Sequence, residues 1–119
     1  MLLKRYAGKL EYETRGIRWH LAQALALNGD TAEAVESALL SLEPPDVQRK
    51  SNFSWNTYAL ATVAFLKNDR AAFDVQYEAH KVAAEKYPEN KVNLDVLTEL
   101  AKCFGKPYKQ SYGRCAVSP

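Results

Sequence analysis

Trp19-His20-Leu21-Ala22-Gln23-Ala24-Leu25-Ala26-Leu27-Asn28-Gly29-Asp30-Thr31-Ala32-Glu33-Ala34-Val35 reads as the end of one helix, a tight turn and the start of the next. Ile17, Leu21, Ala24 and Leu25 share one stripe at helical spacing, and Ala34, Val35, Ala38, Leu39 and Leu42 form a second. Between the stripes, Asn28-Gly29-Asp30 breaks the helix. Asp30 followed by Glu33 has the form of a capping box: the Asp30 carboxylate can accept orphan amides of the first turn, and Glu33 can reach back. Pro44-Pro45 ends the second stripe.

The rest of the chain follows the same period. Asp46 to Asn52 is polar and patternless, which predicts a loop. A third helix is expected from Asn52 or Ser54 to Lys67, with Leu60, Val63 and Ala64 inward. Asn68-Asp69 turns the chain. A fourth follows with Ala72, Val75, Ala79, Val82 and Ala83 inward, ending before Pro88. Asn90 can cap a fifth, with Val92, Val96, Leu97, Leu100, Cys103 and Phe104 inward, and Gly105 suits its C-terminal end. Pro107 can open a short sixth, and Leu2 to Leu10 a leading helix. The expected fold is therefore all-α: a single domain over 1–113, made of hairpins at about 13–43, 53–87 and 90–112 after a leading helix at 2–10, with a tail at 114–119.

The first two helix pairs repeat. A displacement of 39 positions aligns Asp30 with Asp69, Leu21 with Leu60, Ala22 with Ala61, Trp19 with Tyr58 and Leu27 with Leu66. Leu97 stands as far before Gly105 as Leu21 does before Gly29. With Leu21, Ala22, Leu25, the Gly29-Asp30 turn and Ala34 on matching positions, the first unit resembles the tetratricopeptide repeat. The second unit matches at Leu60 and Ala61, with Asn68 in place of the turn glycine, and the third keeps its first helix and Gly105. Trp55 to Arg70 and Cys103 to Tyr108 also resemble segments of small bacterial proteins of this kind. The resemblance implies a right-handed superhelix of stacked hairpins, with Leu21, Leu60 and Leu97 between layers and Ala22 and Ala61 admitting close helix approach.

With 119 residues, 47% apolar and 25% charged, the chain is one globular domain and neither disordered nor low in complexity. No apolar run is long enough to span a bilayer, and the N-terminus lacks the pattern of a secretory signal, so the expected location is cytoplasmic. Cys103 and Cys115 are accordingly expected as reduced thiols. The net charge of +2 argues against nucleic-acid binding as the main role. Lys4, Arg5, Lys9 and the basic C-terminal residues, with Tyr6, Tyr108 and Tyr112 to stack on bases, keep it as an alternative.

No phosphate loop, zinc motif or nucleophile elbow is present, so no catalytic residue, cofactor or metal is expected. Tyr77 and Lys81 have the spacing of a dehydrogenase pair, which on a helix stacks a tyrosine under a lysine stem. His20 and His80 lie on different helices with no ligand spacing between them. The resemblance instead implies a concave peptide-binding groove lined by Trp19, Gln23, Trp55, Tyr58, Thr62 and Phe65. Such aromatics give large contact area at little entropic cost, although Trp19 and Trp55 suit a core equally well. The expected function is a non-enzymatic adaptor or scaffold that binds a protein or peptide; a homodimer formed by an uncovered end of the stack is the alternative.

Overall fold

A computed structural model describes the backbone of residues 2–108 and the side chains of residues 13–108. The described residues are all-helical: α1 (Leu2–Leu27), α2 (Thr31–Leu40), α3 (Pro45–Lys50), α4 (Trp55–Leu66), α5 (Arg70–Lys86), a 3-10 turn (Pro88–Asn90) and α6 (Lys91–Lys102). α1 packs against α2 and α4 against α5 as two hairpins, while α4 also touches α2 and α6. That central position explains why α4 is apolar nearly all round, with Tyr58, Ala59, Ala61, Thr62, Val63, Ala64 and Phe65 buried.

The repeat is written in the backbone. At the first turn the amides of Asn28, Gly29 and Asp30 donate to Ala24, Ala26 and Leu25 at 3.1, 3.1 and 2.8 Å. At the second, Lys67, Asn68 and Asp69 donate to Val63, Phe65 and Ala64 at 2.9, 3.0 and 2.9 Å. Every donor and acceptor is displaced by the same 39 positions, and both sets form the left-handed termination that satisfies a helix's last carbonyls. Gly29 (φ 87°), Asn68 (φ 58°) and Gly105 (φ 91°) all take the left-handed conformation. Asparagine tolerates it better than most side chains, which lets Asn68 replace the turn glycine.

Several local expectations are corrected. α1 is continuous, so the leading helix and the first hairpin helix are one element. Pro45–Lys50 is a short helix and not a loop; Pro45 fits its first turn, and Asp46 and then Arg49 and Lys50 complement its dipole. Asp30 makes no side-chain cap and accepts instead from Asn28 Nδ2 at 2.9 Å. Asp69 does cap α5, accepting from the Ala72 amide at 3.1 Å. The expected helix after Pro107 and the tail at 114–119 lie outside the described residues.

The buried faces are rotated from those expected. On α1, Trp19, Ala22 and Ala26 face inward, while Ile17 and Ala24 are exposed and Leu21 is 45% exposed. On α5 the inward residues are Phe73, His80 and Ala84, with Tyr77 packed beside them; Val75 and Val82 are 66% and 63% exposed. Val92 is likewise exposed on α6. The three-leucine lock is therefore not formed. Leu97 is fully buried, Leu60 is half-buried and Leu21 faces solvent. Small residues do that work in the first hairpin: Ala22, Ala26, Ala34 and Ala38 bring α1 and α2 together, and Ser37 Oγ donates to the Arg18 carbonyl at 2.7 Å.

Cys103 is buried and disulfide-bonded, which corrects the expectation of a reduced thiol at that position. No helix among the described residues is long and apolar enough to cross a membrane.

Candidate functional site

The turn at Gly29 sends α2 back along α1, so that Ser41 and Glu43 reach the level of Glu13 to His20. There, Glu13, Arg15, Gly16, Trp19, His20, Ser41, Glu43, Phe53 and Trp55 line a cavity of about 420 Å³. Its aromatic wall is continuous. Trp19 and Trp55 meet edge to face at 4.8 Å between centroids and 83° between planes, and Phe53 lies nearly parallel to Trp55 at 6.5 Å. Tyr58 backs both tryptophans from the core, at 5.3 and 5.5 Å.

The wall is held by hydrogen bonds from behind. Trp55 Nε1 donates to the Ser41 carbonyl at 3.1 Å, and Ser41 Oγ donates to the Ala38 carbonyl at 2.6 Å. The Asn56 amide grips the Glu43 backbone twice: Oδ1 accepts from the Glu43 amide, and Nδ2 donates to its carbonyl, both at 2.9 Å. Gln48 of α3 donates through Nε2 to the Phe53 carbonyl at 2.8 Å and accepts through Oε1 from the Asn56 backbone N–H at 2.8 Å. With the main chain of Glu43 and Phe53 fixed in this way, the cavity is pre-organised. The Glu43 side chain is less well served: its Oε2 is buried without a hydrogen-bond partner.

A buried polar chain fixes the far end of the same loop. His80 is fully buried, with Nε2 3.0 Å from the Asn90 carbonyl and Nδ1 2.8 Å from Thr57 Oγ1. A carbonyl only accepts, so Nε2 carries the proton and Thr57 donates to Nδ1; Ser54 Oγ then donates to Thr57 Oγ1 at 2.6 Å. Asn90 accepts from the Ser54 amide at 2.7 Å and donates to the carbonyls of Asn52, Tyr87 and Ala83 at 2.9, 3.1 and 3.3 Å. Asn90 thus tethers the Asn52–Ser54 segment that carries Phe53, in place of the helix cap expected of it.

Burial lowers the His80 pKa below the ordinary 6.5, outweighing the opposing hydrogen bond with Asn90. The unfolded chain therefore binds this proton more readily. The stabilising contribution is complete above pH 6.5 and is lost as pH falls through the lower folded-state value. Urea denaturation from about pH 7.5 to about pH 5 should show this loss, and His80→Gln should flatten the slope.

The six residues expected to line a groove divide among three environments. Trp19 and Trp55 meet at the cavity. Gln23 sits at a separate small void with Thr62 and Tyr108. Tyr58, Thr62 and Phe65 are core residues and not an open lining. Thr62 Oγ1 donates to the Tyr58 carbonyl at 3.0 Å, while Phe104 and Tyr108 pack on Phe65 at 5.5 and 6.3 Å. The C-terminal segment thus covers the groove's far half. Ser41, Glu43 and Phe53 carried no sequence signal, because they lie in the irregular stretch around α3.

The Tyr77–Lys81 pair is a packing contact, with the ammonium 4.2 Å from the ring centroid and Tyr77 Oη 2.9 Å from Thr98 Oγ1. Among the described residues, no group of three His, Cys, Asp or Glu side chains is placed to hold a metal ion. In comparisons with protein-family models, curated proteins and solved structures, the chain matches none.

Proposed function

We propose that the chain is a non-enzymatic binding module that receives a segment of another protein in the Trp19–Trp55 cavity. The observation that carries this reading is a cavity of about 420 Å³, aromatic on one side and braced from behind by hydrogen bonds. That size and character are typical of ligand sites, and the bracing limits the entropy lost on binding. His20 shares the wall with Glu13, Glu43 and Ser41, which would suit acid–base or nucleophilic chemistry. However, the Ser41 hydroxyl is committed to the Ala38 carbonyl, and this favours binding over catalysis.

Repeated hairpin turns support a tetratricopeptide-like ancestry, with the ligand moved from the groove to one end of the aromatic wall. The disulfide at Cys103 supports an oxidising compartment over the cytoplasm. Self-association is the second reading, favoured by the exposure of Ile17, Leu21, Leu39 and Leu40 on the first hairpin.

Gly16 provides the test. It lines the cavity, and a Cβ added there meets nothing within 4 Å. Gly16→Leu should stabilise α1 by up to about 1 kcal/mol, because glycine is a poor helix former, and should also obstruct the cavity. Peptides selected from a displayed random library against the natural chain should bind this variant at least about tenfold more weakly, by titration calorimetry. Equal binding by a variant of undiminished stability would discard the cavity as the site.

A further inference from the structure

Resting on the cavity as the binding site, we propose that its occupant is an arginine side chain of the partner segment, held between the tryptophan rings and the Glu43 carboxylate. Three observations converge on a cation of this shape.

The first is the unpartnered acid. Glu43 lines the cavity, its backbone is fixed by Asn56, and its Oε2 is buried without a hydrogen-bond partner. The side chain as a whole is only half-buried, so a carboxylate stands at the wall of an aromatic cavity, where a cation that brings its own donors is favoured. The second is the wall. Trp19, Trp55 and Phe53 concentrate π-electron density around the same space, which attracts a desolvated organic cation. Among the described lining residues Glu13 and Arg15 are both engaged with other groups, which leaves Glu43 as the acid with an oxygen that accepts no hydrogen bond.

The third observation lies elsewhere in the molecule. The Arg70 guanidinium sits 5.7 Å from the Phe73 centroid and 5.1 Å from that of Phe104, while Nε donates to Asp74 Oδ1 at 3.0 Å and Nη1 to the Ala101 carbonyl at 3.3 Å. Two rings and a carboxylate thus hold a guanidinium within this fold. The cavity offers rings and a carboxylate without the guanidinium. A planar, weakly hydrated guanidinium can stack on indole and reach a carboxylate through its edge at once, whereas an ammonium is a point charge with a tighter hydration shell.

The test uses a capped pentapeptide with arginine at the centre of four glycines, its citrulline counterpart, which has the same shape without the charge, and the lysine analogue. Calorimetric titration of the natural chain should find the arginine peptide at least about tenfold tighter than citrulline, with lysine between them. Glu43→Gln should abolish that preference without lowering Tm, since Oε2 accepts no hydrogen bond that the substitution would remove. A purely structural glutamate would lower Tm instead. Equal binding of the arginine and citrulline peptides, or a preference that survives Glu43→Gln, overturns the proposal. Library peptides that are enriched without basic residues, and lost in Gly16→Leu, would also overturn it while leaving the cavity as the site. Loss of both the arginine preference and all enrichment would sink the two together.

Discussion

Replacing Phe73 by alanine is expected to cost about 3–5 kcal/mol and to lower Tm by roughly 10–20 °C. Phe73 is fully buried and packs on Tyr77 at 5.5 Å and Phe104 at 5.3 Å, so it joins α5 to the end of α6. Truncation leaves a void whose surroundings, set by the Tyr77 and Phe104 rings and the Arg70 guanidinium, relax only in part. Total stability for a domain of this size is about 5–15 kcal/mol, so the loss is a large share of it. Val75→Ala, two residues on and 66% exposed, should stay within about 0.5 kcal/mol. Thermal melts followed by far-UV circular dichroism check the pair. Comparable losses from both substitutions would mean that α5 presents a different face to the core.

Asn90→Ala should cost about 3–4 kcal/mol by a different route. Little volume is lost, but the Ser54 amide loses its acceptor, and the carbonyls of Asn52, Tyr87 and Ala83 lose a shared donor. Asn90→Asp separates hydrogen bonding from size. It preserves the acceptor for Ser54 yet points a carboxylate oxygen at those carbonyls, so it should be at least as damaging. Urea denaturation gives the stability of each variant, and tryptophan fluorescence reports the cavity. Because the tether holds the segment bearing Phe53, beside Trp55, the emission should shift before the helices melt. A neutral Asn90→Asp variant would reduce the network to space filling.

Much of the architecture was legible, for a physical reason. Backbone breaks depend on a few residues with strong local preferences, and Gly29, Asn68 and Gly105 each sit where the chain adopts a left-handed conformation. Hairpins follow from the breaks, and the 39-position alignment follows from the hairpins. What sequence reasoning missed was which side of a helix is buried. α5 offers two apolar faces: Ala72, Val75, Ala79 and Val82 on one, and Phe73, Tyr77, His80 and Ala84 on the other. Counting aliphatic residues selects the first. Packing selects the second, because aromatic rings bury more area and His80 completes a hydrogen-bonded chain that leaves its ring nitrogens satisfied.

The candidate site was legible only in part. Trp19 and Trp55 were found because large aromatics mark cores and interfaces alike. Tyr58 and Phe65 were placed on an open surface, but Trp19 and Trp55 close over the first and the C-terminal Phe104 and Tyr108 over the second, through packing between residues far apart in sequence. Glu43 stands before two prolines at the end of a helix, and nothing local distinguishes it from an ordinary solvated acid. Its importance arises only when Asn56, thirteen residues on, fixes its backbone and the fold closes over one oxygen.

The two hairpins meet chiefly along α2 and α4, a narrow seam for a molecule in which α1 and α2, and α4 and α5, are each closely paired. The cavity straddles that seam, with Glu13 to His20 contributed by the first hairpin and Phe53 and Trp55 by the approach to the second. A guest lodged there acts as a rivet between two plates. By touching both hairpins at once, it would add contacts across the joint where the two share fewest.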